Sequence, residues 1–338
     1  MIERLLQLIC LLWNVGIEAQ SPDYAGYHER IIVAETQFFL YGNADSALHN
    51  YQVAFTDYDY VFPRDVFNAL QIAVFSGAPY EDLLATAFQA GVQPDHFMGI
   101  PVLQPLVQRL GADTSRQANY RAARSRYRRS IDYGKALQLY RLAIADQLQK
   151  SGPPHVYTQS KRDIITRLRT GELSGSTRVV GIDDPTLFAE IGKAKYDLDS
   201  LKWDYSTRLD YFRPKPQALT ATYLIVMLLH NSCAFVELEE TLRNWIAKGL
   251  IHPREVALLY DNRWRQVNER TYPCALPPAG SVFLLNKFCN YRALEVDRAE
   301  VNRLRERWQI APLAVDAQKR RYESAHGFDL THGFWDSL

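Results

Sequence analysis

Apolar residues recur at helical spacing along most of this chain, and glycine or proline ends each run. Tyr27–Leu40 carries Ile31, Ala34 and Phe38 on one face, and Gly42–Asn43 breaks it. Asp45–Phe55 starts a second run that gathers Ala47, Tyr51 and Ala54. Pro63 opens a third through Val74, with Gly77–Ala78–Pro79 as the next break. Two further runs, 80–90 and 101–110, follow, and Gly111 closes the second. Alternating strand patterns are few, and no hairpin turn signal of weight occurs. The fold class expected is all-α, an antiparallel stack of helix hairpins followed by a second helical domain.

The same period continues downstream. Pro185–Phe212 repeats Leu187, Ile191, Ala194, Leu198, Leu201 and Tyr205, with Asp183 or Asp184 placed to cap it. Thr220–His230 is strongly apolar and reads as a central core helix. Val236–Gly249 and Pro253–Gln266 read as amphipathic helices, Asp297–Gln309 as a charged one and Leu313–Tyr322 as the last. With 338 residues, about two domains are expected. The divisions drawn are 20–130, 131–325 and a tail at 326–338, after a leader at 1–19.

The turn glycines Gly42, Gly77 and Gly111 lie 35 and 34 residues apart. A period near 34 in helix–turn–helix units is characteristic of tetratricopeptide repeats. The first unit resembles that family through Gly42, Ala47, Tyr51 and Ala54. The third keeps Tyr120 and Ala123 at the same offsets, while the second has Asp82 and Thr86 there. The resemblance implies a concave surface that holds a peptide or protein segment. Tyr41, Tyr51, Tyr58 and Tyr60 are its groove candidates.

A second resemblance covers about 136–322. It is carried by Asp146–Gln147, by YLIVMLLHNS ending at His230, by KGLIHPREVALLYDNRW and by EVDRAEVNRLRERWQIAPLAVDAQK. This order is similar to an uncharacterised bacterial domain of unknown function. The chain departs from that pattern at Asn231–Ser232, where an acid is usual, and at Asn262, which separates Asp261 from Arg263. The resemblance implies bacterial, often exported relatives and carries no activity.

Met1–Ala19 has the layout of a secretory signal: a short charged start at Glu3–Arg4, an apolar run from Leu5 to Trp13, and Ala19 at the cut. Its apolar run is too short to span a bilayer. A periplasmic or extracellular location is therefore expected, without a membrane span in the mature chain. Cys233, Cys274 and Cys289 would then remain. Cys274 and Cys289 either close a loop across a proline-rich turn or stay as thiols.

The net charge of +1 points to no polyanionic partner in bulk. Its distribution is uneven. Residues 20–110 hold three basic and ten acidic residues, whereas 111–150 hold nine basic and three acidic. Arg116, Arg121, Arg124, Arg126, Arg128 and Arg129 crowd one segment with Tyr120 and Tyr127. Interleaved arginine and tyrosine suit phosphates and bases, but export removes that context, so nucleic acid is not the partner expected.

No P-loop, GxGxxG, HExxH, GxSxG or CxxC occurs. His230 with Asp261 and Arg263 is the one candidate for general-base chemistry. His326, Asp329 and His332 are the candidate metal ligands. Asp183–Asp184, with Glu190, reads as a helix cap rather than a catalytic carboxylate pair. No cofactor is expected. The leading expectation is an exported, non-enzymatic helical protein that binds a protein segment. The alternative is an enzyme centred on His230.

Overall fold

A computed structural model of the chain describes residues 23–112, 114–130, 166, 170, 228, 238–257 and 297–330. Among these the protein is all-α, with no strand. The helices are α1 (Ala25–Phe39), α2 (Ala44–Asp57), α3 (Pro63–Ser76), α4 (Glu81–Gln89), α5 (Gln104–Ala112), α6 (Thr114–Ser130), α7 (Glu239–Ala247), α8 (Arg298–Arg307) and α9 (Leu313–His326). Short 3-10 turns at Pro94–Phe97 and Pro101–Leu103 bridge α4 to α5.

Local chemistry sets the helix ends. Asn43 accepts the Ser46 amide at 3.0 Å and starts α2. Pro63 occupies the first turn of α3, where its missing N–H costs nothing. Asp297 accepts the amides of Ala299 and Glu300 at the start of α8. Gly42 and Gly77 take positive φ, as turn residues must. Gly111 is the last residue but one of α5, so that helix ends beside it, though its φ is not positive as at Gly42 and Gly77.

α1 and α2 form a hairpin in which Ala34, Ala47 and Ala54 keep the axes close and Tyr27 and Tyr51 fill between them. α3 is the central helix, buried at every residue from Pro63 to Ala73. One side of it, with Ala69 and Ile72, joins a core built from α1 and α2. Its other side, with Val66, Phe67 and Leu70, joins a second core with α4, both 3-10 turns and Ala123 of α6.

The C-terminal segments enter the first of these cores. Ala311, Val315, Phe328 and Leu330 share it with Tyr27, Ile31 and Phe38. The Tyr24 amide donates to the Ala247 carbonyl at 2.8 Å, joining the end of α7 to the start of α1. Residues 327–330 leave α9 as an irregular strap. The buried Gln71 amide grips that strap at both main-chain groups of Asp329: its Nε2 donates to the carbonyl at 2.6 Å, and its Oε1 accepts the amide at 2.7 Å. Gly327 sits at φ 71°, and a Cβ there would stand 2.5 Å from Pro101 Cβ.

Candidate functional site

Several elements around α3 bring polar side chains into the interior. α1 supplies Tyr27, His28 and Glu35, and α3 supplies Arg64, Asp65, Asn68 and Gln71. Residues 252–255 add His252, Arg254 and Glu255. α8 adds Arg305, and α9 adds Asp316 and Lys319 one turn apart. Four buried carboxylates (Glu35, Asp65, Glu255, Asp316) meet four buried cations (Arg64, Arg254, Arg305, Lys319). Such burial is tolerable only when charges are paired and hydrogen-bonded.

The pairing is dense. Arg254 binds Asp316 with both terminal nitrogens, at 3.1 and 2.5 Å, and stands 3.7 Å from Glu35 Oε2. Arg305 donates to Asp316 and, through Nε, to the Ala311 carbonyl at 2.6 Å. Lys319 donates to Glu35. Tyr27 donates its hydroxyl to Asp65 at 3.0 Å and accepts the Phe62 amide at 3.2 Å. His252 Nδ1 accepts the Arg254 amide at 3.1 Å, so the neutral ring carries its proton on Nε2, which faces Asp65 Oδ1 at 3.4 Å. His28 packs edge-on against His252, with ring centroids 5.5 Å apart.

Electrostatics follow from this burial. Burial, reinforced by His252, lowers the pKa of His28 to about 3. Burial, then Arg64 and Arg254, holds His252 well below its ordinary value. Both imidazoles are neutral inside the molecule. Burial raises Asp65, against the pull of Arg64 and His28. It also lowers Lys319 against Glu35. Arg254 is the reverse case: desolvation disfavours its charge, but Asp316 and then Glu35 outweigh it and the pKa rises. Burial, followed by nearby carboxylates, raises Tyr27 and Tyr51 well above the usual phenol range.

A second feature lies where α1, α3 and α9 end. Phe38, Phe39, Phe75, Tyr322, His326 and Phe328 form one aromatic cluster, with Phe38–Tyr322 at 5.2 Å, Phe75–His326 at 4.9 Å and Phe75–Phe328 at 5.1 Å. Its rim reaches solvent at Phe75, which is 41% exposed, and the turn that follows Phe39 carries Leu40 and Tyr41, 36% and 69% exposed. Three helix carboxyl ends bring partial negative charge to this rim.

Of the four tyrosines expected in a groove, only Tyr41 is exposed. Tyr51 corrects that expectation, since it is fully buried between α1 and α2. Tyr58 and Tyr60 are half-buried, packed against Tyr24 and Phe62 respectively. His326 lies against Phe75 and Tyr322, and Asp329 is held through its backbone. Among the described residues no group of three His, Cys, Asp or Glu side chains is placed to hold a metal ion. His332, the leader at 1–19, His230, Asp261, Arg263, Asp183, Asp184, Glu190, Cys233, Cys274 and Cys289 lie outside the described residues. No helix among the described residues is long and apolar enough to cross a membrane.

Glu35, Asp65, Arg254, Asp316 and Lys319 carry no motif and escaped the sequence reading. One signal was available: Glu35 follows Ala34 on the stripe of Ile31 and Phe38, where a solvated acid is out of place. No protein-family model, no curated protein and no solved structure matches the chain.

Proposed function

We propose that this chain is an exported, non-enzymatic helical protein that holds a segment of another protein. The hairpin stack, tetratricopeptide-like in the spacing of its first turns, serves as a stiff frame. The contact surface is the aromatic rim at the ends of α1, α3 and α9. The carrying observation is the exposure of Phe75 on a buried aromatic base, with Leu40 and Tyr41 exposed in the turn that follows Phe39 of the same cluster. Exposed aromatics of this kind are typical binding anchors. The helix carboxyl ends favour a partner whose apolar anchor is flanked by lysine or arginine. The charges around α3 are spent on one another and serve the frame. The layout of Met1–Ala19 supports export.

The test places a photo-crosslinking residue at Tyr41 in the native host and combines it with cell fractionation. A reproducible adduct to one extracytoplasmic protein, lost when Phe75→Ser is added, is the expected result. A cytosolic full-length chain, or adducts unchanged by Phe75→Ser, would refute the reading.

A further inference from the structure

The helix α6 holds six arginines and no acid in its seventeen residues. One face is committed to the core. Tyr120 packs on Phe88 at 4.9 Å, Ala123 is buried, and Arg124 lies over the buried Tyr127 ring at 4.9 Å. Gly91 provides the room for Tyr127, since a Cβ there would stand 2.7 Å from that ring.

The opposite face is exposed and has a definite layout. Ala118, Ala122 and Ser125 run down its middle at helical spacing, with Arg129 next on the same line. Arg121 flanks this seam on one side and Arg126 on the other. Among the described residues neither Arg121 nor Arg126 makes a hydrogen bond or ion pair, while Arg129 donates to Ser125 at 2.9 Å. A row of like charges without acids destabilises its own helix, and an anionic partner would relieve it.

We infer that this face of α6 docks an acidic helical segment of another protein, carboxylates straddling the Ala118–Ala122–Ser125 seam to meet Arg121, Arg126 and Arg129. The small side chains let a second helix approach closely. Guanidinium forks pair with carboxylates in two-point geometry. Single-stranded nucleic acid fits less well, because both tyrosines of the helix turn inward and leave no ring on which a base could stack. A bilayer fits less well too, because the exposed face offers no large apolar side chain to insert. The inference shares the reading of the molecule as an interaction scaffold but uses a different surface, of opposite charge preference. Failure here therefore leaves the aromatic rim untested, and the reverse also holds.

The experiment titrates the full chain against a labelled glutamate–alanine helical peptide and against single-stranded DNA of equal charge, by fluorescence anisotropy. The peptide should bind more tightly than the DNA. Removing three exposed pairs in Arg121→Gln/Arg126→Gln/Arg129→Gln should weaken peptide binding roughly tenfold or more. Ala122→Trp, which keeps every charge but blocks the seam, should weaken it about as much. Reversing all three arginines to glutamate should transfer binding to a lysine–alanine peptide. Circular dichroism of each variant should match the parent, as these positions face solvent. Tighter DNA binding, no peptide binding, or peptide binding indifferent to Ala122→Trp would overturn the inference.

Discussion

Glu35 and Lys319 stand 284 positions apart in the chain, yet each is the other's partner in a buried interior. The same holds for Asp316 with Arg254. Charges so placed contribute little net stability as pairs, but breaking one strands its partner. The two neutral histidines give this interior a pH signature. In the unfolded chain each titrates near 6.5, while inside the molecule both are held lower, His28 at about 3. Their contribution is complete above about pH 6.5 and is lost as pH falls below it, by about 1.4 kcal/mol per unit for each. Asp65, raised by burial, acts in the opposite sense as it protonates. Urea melts of the protein should weaken between neutral pH and the carboxylate range, and His28→Gln should flatten that slope. An unchanged slope in the variant would contradict the buried pair. At the alkaline end, the raised phenols of Tyr27 and Tyr51 predict stability lost above about pH 10. Little of this was legible beforehand. A glutamate or arginine reads as solvated until its partner is known, and the partners here come from distant segments. Tyr51 misled for a related reason: it sits at a repeat position and packs inward.

Helices were the legible layer, because the 3.6-residue period and the capping residues act locally. Runs expected at Asp45–Phe55, Pro63–Val74 and Asp297–Gln309 match α2, α3 and α8 to within a few residues. The 3-10 turn at Pro94–Phe97 and the strap at 327–330 had no periodic signal to betray them. The strap draws its conformation from what it lies on. Phe328 and Leu330 are buried in the core, and Gln71 takes both main-chain groups of Asp329. Gln71→Ala leaves two main-chain groups without their partner and should cost about 2 kcal/mol. Gly327→Ala adds left-handed strain and a clash with Pro101, for a similar or larger loss. Hydrogen exchange at the Asp329 amide would accelerate in both variants. Protection equal to the parent in Gly327→Ala would show that the strap is held elsewhere.

On the scale of the molecule, the arrangement departs from an open repeat stack. An open stack leaves one helical face free for a guest. Here α9 and the strap lie against α1 and α3, and the polar residues of those helices face Arg254, Asp316 and Lys319. Among the described residues, the N-terminal helices and residues 297–330 therefore share one core, while the aromatic rim and the arginine face of α6 stay outward. A chain ending at 296 should lose the cooperative melt of the hairpin stack and bind a hydrophobic dye, because Ile31, Phe38 and Glu35 become exposed without Val315, Phe328 and Lys319. A sharp melt at the parent temperature would count against a shared core.

The most direct measurement of that shared core is a double-mutant cycle on Glu35 and Lys319 in the full chain. Glu35→Leu and Lys319→Met should each destabilise by about 3–5 kcal/mol, since each strands a buried charge. The pair together should cost less than their sum by at least about 1 kcal/mol, the coupling expected of residues in contact. Single variants that add without coupling would mean that α9 does not rest on α1, and the account of the fold built on that contact would fail.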